Sequence, residues 1–106
     1  MSQHEMISEI KSVIRDIMPE DAHVLLYGSR ARGDAYEESD WDVLILLNKD
    51  IVNGQDFDEV AYPLVELGWR YGESINPTVY SQKEWEKRSF TPFYKNVEQD
   101  SISLWH

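Results

Sequence analysis

Residues 23–47 read HVLLYGSRARGDAYEESDWDVLILL, and this stretch decides the fold. His23 to Tyr27 is a short apolar run of strand formers bounded by Asp21 and Gly28. Trp41 to Leu47 is almost wholly apolar, the pattern of a strand covered on both faces. Gly28-Ser29 follows the first run directly and opens Arg30-Ala31-Arg32, which can form a helical turn. A helix start aims unpaired backbone N–H groups forward with a partial positive charge behind them, a geometry that binds phosphate. Glycine lets a ligand reach the backbone without a Cβ in the way. Ser29 adds a hydroxyl donor, and Arg30 or Arg32 can add a charge-assisted bond. Taken alone, Gly-Ser more often marks a plain turn with a serine cap.

The second half of the segment carries acids. Asp40 and Asp42 stand two apart where the chain enters the second strand, which puts both carboxylates on one face and Trp41 on the other. Adjacent carboxylates repel unless a cation lies between them. Mg²⁺ fills that role with one or two carboxylates while substrate phosphates take other positions. Neither a GxGxxG fingerprint nor a Gly-Lys-Ser/Thr loop is present, so other phosphate motifs do not fit.

Outward from this centre, Met6, Ile7, Ile10, Val13, Ile14 and Ile17 recur at helical spacing and predict an amphipathic helix over about residues 5–18. Ser2 and Glu5 suit a capping box at its start, and Pro19 ends it. Residues 56–71 predict one further helix, with Pro63 a local irregularity and Gly68 or Gly72 at its end. Ile75 to Tyr80 reads as a third strand, Gln82 to Arg88 as a short polar helix, and Ile102 to Trp105 as a final edge strand. Trp85, Phe90, Phe93 and Tyr94 are expected to pack this tail on the sheet. The order predicts an α/β (α+β) fold with a mixed sheet of three to five strands flanked by helices.

The 106 residues point to a single domain over 1–106. No run of about 18 apolar residues exists and the N-terminus lacks a signal-like core, so a cytoplasmic protein is expected, with no membrane association. The absence of cysteine excludes thiolate metal sites and disulfides. His4, His23 and His106 show no ligand spacing. A net charge of −10 argues against direct binding to a nucleic-acid backbone, while leaving room for a small anion at Arg30 and Arg32.

Together the two halves describe a nucleotide–metal site, and here the sequence resembles a known family. The pattern GSRARGxAxxxSDxDxxI is met by Gly28, Ser29, Arg30, Ala31, Arg32, Gly33, Ala35, Ser39, Asp40, Asp42 and Ile45. It is similar to the DNA polymerase β-like nucleotidyltransferase superfamily, and most of all to its minimal, stand-alone domains, whose tail the closing PFYKNVEQDSISLW also resembles. The resemblance implies that Gly28 and Ser29 grip nucleotide phosphates and that Asp40 and Asp42 are the catalytic metal ligands, for one or two Mg²⁺ ions. Arg30 and Arg32 become phosphate or structural contacts. The implied reaction moves a nucleoside monophosphate, most simply AMP from ATP (another triphosphate is possible), onto an acceptor hydroxyl.

The family pattern also has a third carboxylate on a later strand, able to act as general base. The strand INPTVY contains no acid, and its register places Asn76 at that position. Asparagine cannot take a proton at neutral pH. Glu73, just ahead of the strand, is the alternative. Two readings follow from the resemblance. One is an Mg²⁺-dependent adenylyltransferase acting on a small helical HEPN-type partner in a toxin–antitoxin pair. The other is a weak or inactive nucleotidyltransferase-fold antitoxin that works by protein contact.

Overall fold

The computed structural model describes all residues from 1 to 106. Helix α1 runs Gln3–Ile17, and its Ser2–Glu5 capping box is formed in both directions. Its buried stripe is Met6, Ile10 and Ile14. Strand β1 (His23–Tyr27) follows, then a four-residue helix α2 (Ser29–Arg32), then strand β2 (Trp41–Leu47). Helices α3 (Gly54–Val60) and α4 (Tyr62–Tyr71) precede strand β3 (Ile75–Ser81). Helices α5 (Gln82–Lys87) and α6 (Pro92–Asp100) and strand β4 (Ile102–Trp105) complete the chain.

The four strands form one mixed sheet in the order β3-β2-β1-β4. β1 is antiparallel to both β2 and β4, whereas β2 and β3 are parallel. Alternation along β2 divides the molecule into three layers. Trp41, Val43, Ile45 and Leu47 join Met6, Ile10, Ile14, Leu64 and Leu67 in the larger core under α1, α3 and α4. Leu44 and Leu46 point the other way, into a smaller core with Trp85 and Val97 under α5 and α6. Asp42 shares the parity of Leu44 and Leu46, so it emerges on the α6 side.

Two expectations are corrected and one open choice is resolved. Residues 56–71 form two helices, broken at Ala61, because Pro63 has no N–H to continue the first; it occupies the opening turn of α4, where that donor is not needed. Only Gly72 (φ +70°) ends α4. Gly68 lies inside the helix, where a Cβ would stand 2.7 Å from the Glu73 carbonyl oxygen, so its role is close approach of α4 to the start of β3. Phe90 does not pack on the sheet: it is 78% exposed, while Trp85, Phe93 and Tyr94 do pack there. No helix is long and apolar enough to cross a membrane.

Candidate functional site

The site lies where the C-terminal end of β1 meets the N-terminal end of β2. Antiparallel pairing sets Tyr27 opposite Asp42, and parallel pairing sets Asn76 opposite Asp42 from the other side. Three neighbouring strands therefore present Tyr27, Asp42 and Asn76 on one face. Asp40 sits exposed just ahead of β2 and close enough for its charge to act on Asp42.

Gly28 turns the chain from β1 into α2 at φ +74°, ψ −158°, a conformation that side chains other than glycine adopt only under strain. A Cβ there would stand 2.5 Å from Asp42 Oδ2. The turn and the carboxylate are thus in direct register, with glycine supplying the gap between them. The first-turn N–H groups of α2 receive no side-chain cap, and half-exposed Ser29 opens the same turn.

The charges of the site do not balance. Partial burial holds the Asp42 carboxyl above the ordinary carboxylate range, and the negative charge of Asp40 pushes it further. The Asn76 amide and the Arg32 guanidinium pull weakly the other way. The Tyr27 phenol is raised by burial and by the Asp42 charge, with Thr78 opposing as a hydrogen-bond partner, so it stays protonated at neutral pH. The Asp42 carboxylate, the Asp40 carboxylate close by and a gap free of Cβ at the turn make a donor set that suits one hard cation shared with phosphate. Nowhere does the structure gather three His, Asp or Glu side chains into one cluster.

The two arginines part company. Arg30 is 7% exposed and reaches away from the turn. Its guanidinium donates to the carbonyl oxygens of Glu37 and Ser39 at 3.2 and 2.9 Å. It also stacks 4.3 Å over the Trp41 ring and stands 4.0 Å from Glu73. Glu73 is accordingly drawn to the Trp41 side of β2, the face opposite Asp42. Arg32 is exposed, paired to Asp34 at 3.2 Å, and borders a cavity that also touches Gly28.

Sequence reasoning missed Tyr27 and the flank of α6 that faces the turn. Both depend on which strands pair and on the chain folding back 60 or more residues later, which no local pattern encodes.

The family described as the nucleotidyltransferase domain matches residues 7–102. A Methanocaldococcus jannaschii protein named "putative protein adenylyltransferase" is 35% identical over 101 residues, 95% of this chain and 92% of that protein. Among solved structures, a toxin–antitoxin with AMP-PNP superposes with a TM-score of 0.63 at 21% identity, covering 93% of this chain and 72% of that one. A tri-AMPylated Shewanella oneidensis HEPN toxin in complex with MNT antitoxin gives 0.60 at 19%, covering 98% and 72%. At such identities the structural likeness speaks for the fold.

Proposed function

The chain belongs to the nucleotidyltransferase-domain family, and on that premise we propose that it transfers AMP from ATP to a hydroxyl of a partner protein of the HEPN type. The observation that carries the reading is the contact of the Gly28 turn with the Asp42 carboxylate, which joins a phosphate cradle to a metal ligand. A relative named as a protein adenylyltransferase supports the chemistry, and a fold shared with the MNT antitoxin of a HEPN pair supports the partner. The net charge of −10 suits contact with a basic protein surface.

In this reading the free N–H groups of Ser29 and Arg30 hold the outer phosphates, and Arg32 leaves Asp34 to add a charge-assisted bond. Asp40 and Asp42 would hold Mg²⁺, which when bound would supply charge stabilisation at the transferred phosphoryl group. Arg30 holds the Glu37 and Ser39 carbonyls and thereby fixes the approach of Asp40. The acceptor oxygen attacks in line, pyrophosphate leaves, and the acceptor's proton departs to solvent, because Asn76 offers no base.

The test is incubation with Mg-ATP and the HEPN-type partner. Mass spectrometry is expected to show the partner heavier by one or more adenylyl groups. A partner left unmodified yet still inhibited would refute the transferase reading. That outcome would support the second one, a binding module, which Asn76 opposite Asp42 favours. The same residue yields a sharper expectation. Asn76→Asp supplies a carboxylate facing Asp42, and transfer is expected to rise by about 10- to 100-fold, the lower part of the range for general-base help. An unchanged rate would show that proton removal does not limit transfer.

A further inference from the structure

A cavity of about 200 Å³ opens beside the Gly28 turn, between the end of β1 and one flank of α6. Its walls are Tyr27, Gly28, Arg32, Phe93, Asn96 and Asp100, with buried Val97 completing them. Phe93, Asn96 and Asp100 follow one another at three and four residues, so a single stripe of α6 faces the turn. Tyr27 and Phe93 meet edge to face with ring centroids 5.4 Å apart, which makes one wall aromatic.

Two features set this cavity apart from ordinary surface. Asp100 takes part in none of the protein's ion pairs. It is also the last residue of α6, where the helix already carries partial negative charge, and no basic residue in the final turn offsets it. An unpaired acid at that end lowers stability, and departures of this kind from the local rules concentrate at functional positions. The volume is below the roughly 300–1,000 Å³ that encloses a whole drug-sized ligand, so the cavity takes a fragment and leaves the remainder outside.

We propose that this cavity is the nucleoside subsite, in which the Asp100 carboxylate accepts hydrogen bonds from the ribose hydroxyls and Asn96 reads the edge of the base. The inference rests on the nucleotide reading of the Gly28 turn and extends it to the part of the ligand that turn does not touch. Charge fixes the direction in which the nucleotide lies. A carboxylate repels phosphate and accepts from hydroxyl groups, so the phosphates go to the Ser29 and Arg32 side and the sugar to the Asp100 side. The aromatic wall of Tyr27 and Phe93 offers a face to a flat base, and the Asn96 amide has the donor and acceptor pair that matches an adenine edge.

Calorimetric titration of the intact protein in Mg²⁺ tests this with four probes: a non-hydrolysable ATP analogue, its 2′-deoxy form, its cytosine counterpart, and inorganic tripolyphosphate. The ATP analogue is expected to bind about 10- to 100-fold more tightly than tripolyphosphate, the worth of one or two hydrogen bonds to a charged or oriented group. Asp100→Ala is expected to remove most of the difference between the ATP analogue and its deoxy form and to leave tripolyphosphate unchanged. Asn96→Ala is expected to narrow the preference for the adenine over the cytosine nucleotide. Asp100→Asn keeps the side-chain volume and relieves the helix end, so its Tm should equal or exceed the parent's and vouch for the fold. Equal affinity for the ATP analogue and tripolyphosphate would overturn the subsite while the phosphate turn stands. A nucleoside preference untouched by both alanine variants would also overturn it. Failure of all four probes to bind a folded protein would instead refute the nucleotide reading itself, and the subsite with it.

Discussion

Asp42→Asn is expected to lower adenylyl transfer by at least about 10³-fold without lowering the melting temperature. The loss follows from position: Asp42 is the acid that touches the Gly28 turn, so removing its charge removes the group that joins metal to phosphate. The retained stability follows from the carboxyl's environment. Burial and Asp40 hold its folded-state pKa above the ordinary value. The unfolded chain therefore releases this proton first, and across that window stability falls as pH rises. The penalty is absent below the ordinary carboxylate pKa of about 4 and complete above the raised one. At neutral pH without Mg²⁺ the amide variant should melt at or above the parent, and at low pH the two should converge. Added Mg²⁺ should raise the parent's Tm by a few degrees at neutral pH and leave the variant unmoved. Paired thermal melts and transfer assays check both halves; a variant that still responds to Mg²⁺ would place the ion elsewhere.

Arg30→Ala is expected to produce the opposite pattern, a large fall in stability. The substitution strips the hydrogen bonds from the Glu37 and Ser39 carbonyls, uncovers the Trp41 ring and leaves Glu73 without its cation. These losses together come to about 2–4 kcal/mol. For a domain of this size that is a fall in Tm of about 10–20 °C. Lysine should restore less than half of it, since a single ammonium cannot serve two carbonyls and a ring face at once. Arg32→Ala is the natural control: an exposed side chain paired only to Asp34 should leave the Tm unmoved and weaken nucleotide binding. Were Arg30 a phosphate ligand, its removal would weaken nucleotide binding and spare the melt. Denaturation and nucleotide titration of the two variants side by side separate the roles.

The contrast between these arginines shows where sequence reading stops. Both stand in SRAR and look interchangeable as phosphate contacts. Their fates depend on a loop whose carbonyls lie seven and nine residues further on and on an indole from the next strand, and spacing encodes neither. The strands at 23–27 and 41–47 were legible because apolar runs ending at a glycine and starting at an acid pair leave little alternative. Helix α1 was legible from its stripe and its capping box. The break at Ala61 was not, because a proline read as a blemish within one helix is equally a good start for another. For the site, the turn and the acid pair could be read in one local segment. Asn76 came within reach through the helix start that follows its strand. Tyr27 could not be picked out this way, since it comes opposite Asp42 only through pairing of β1 with β2, nor could Asn96 and Asp100, which come near the turn only through the return of α6.

Strand β2 is where chemistry and architecture are the same object. Its odd-numbered residues fill one core, its even-numbered residues line the other, and Asp42 is the first of the even set within the strand. A slip of one residue against β1 or β3 would carry that carboxylate beneath α1 and lift Trp41 and Val43 to the opposite side. Such a slip forfeits most of the larger core, so misaligned copies are selected against by folding itself. Quality control of the site is thus delegated to the cooperativity of the whole sheet: a chain that has folded has already aimed Asp42 at the turn.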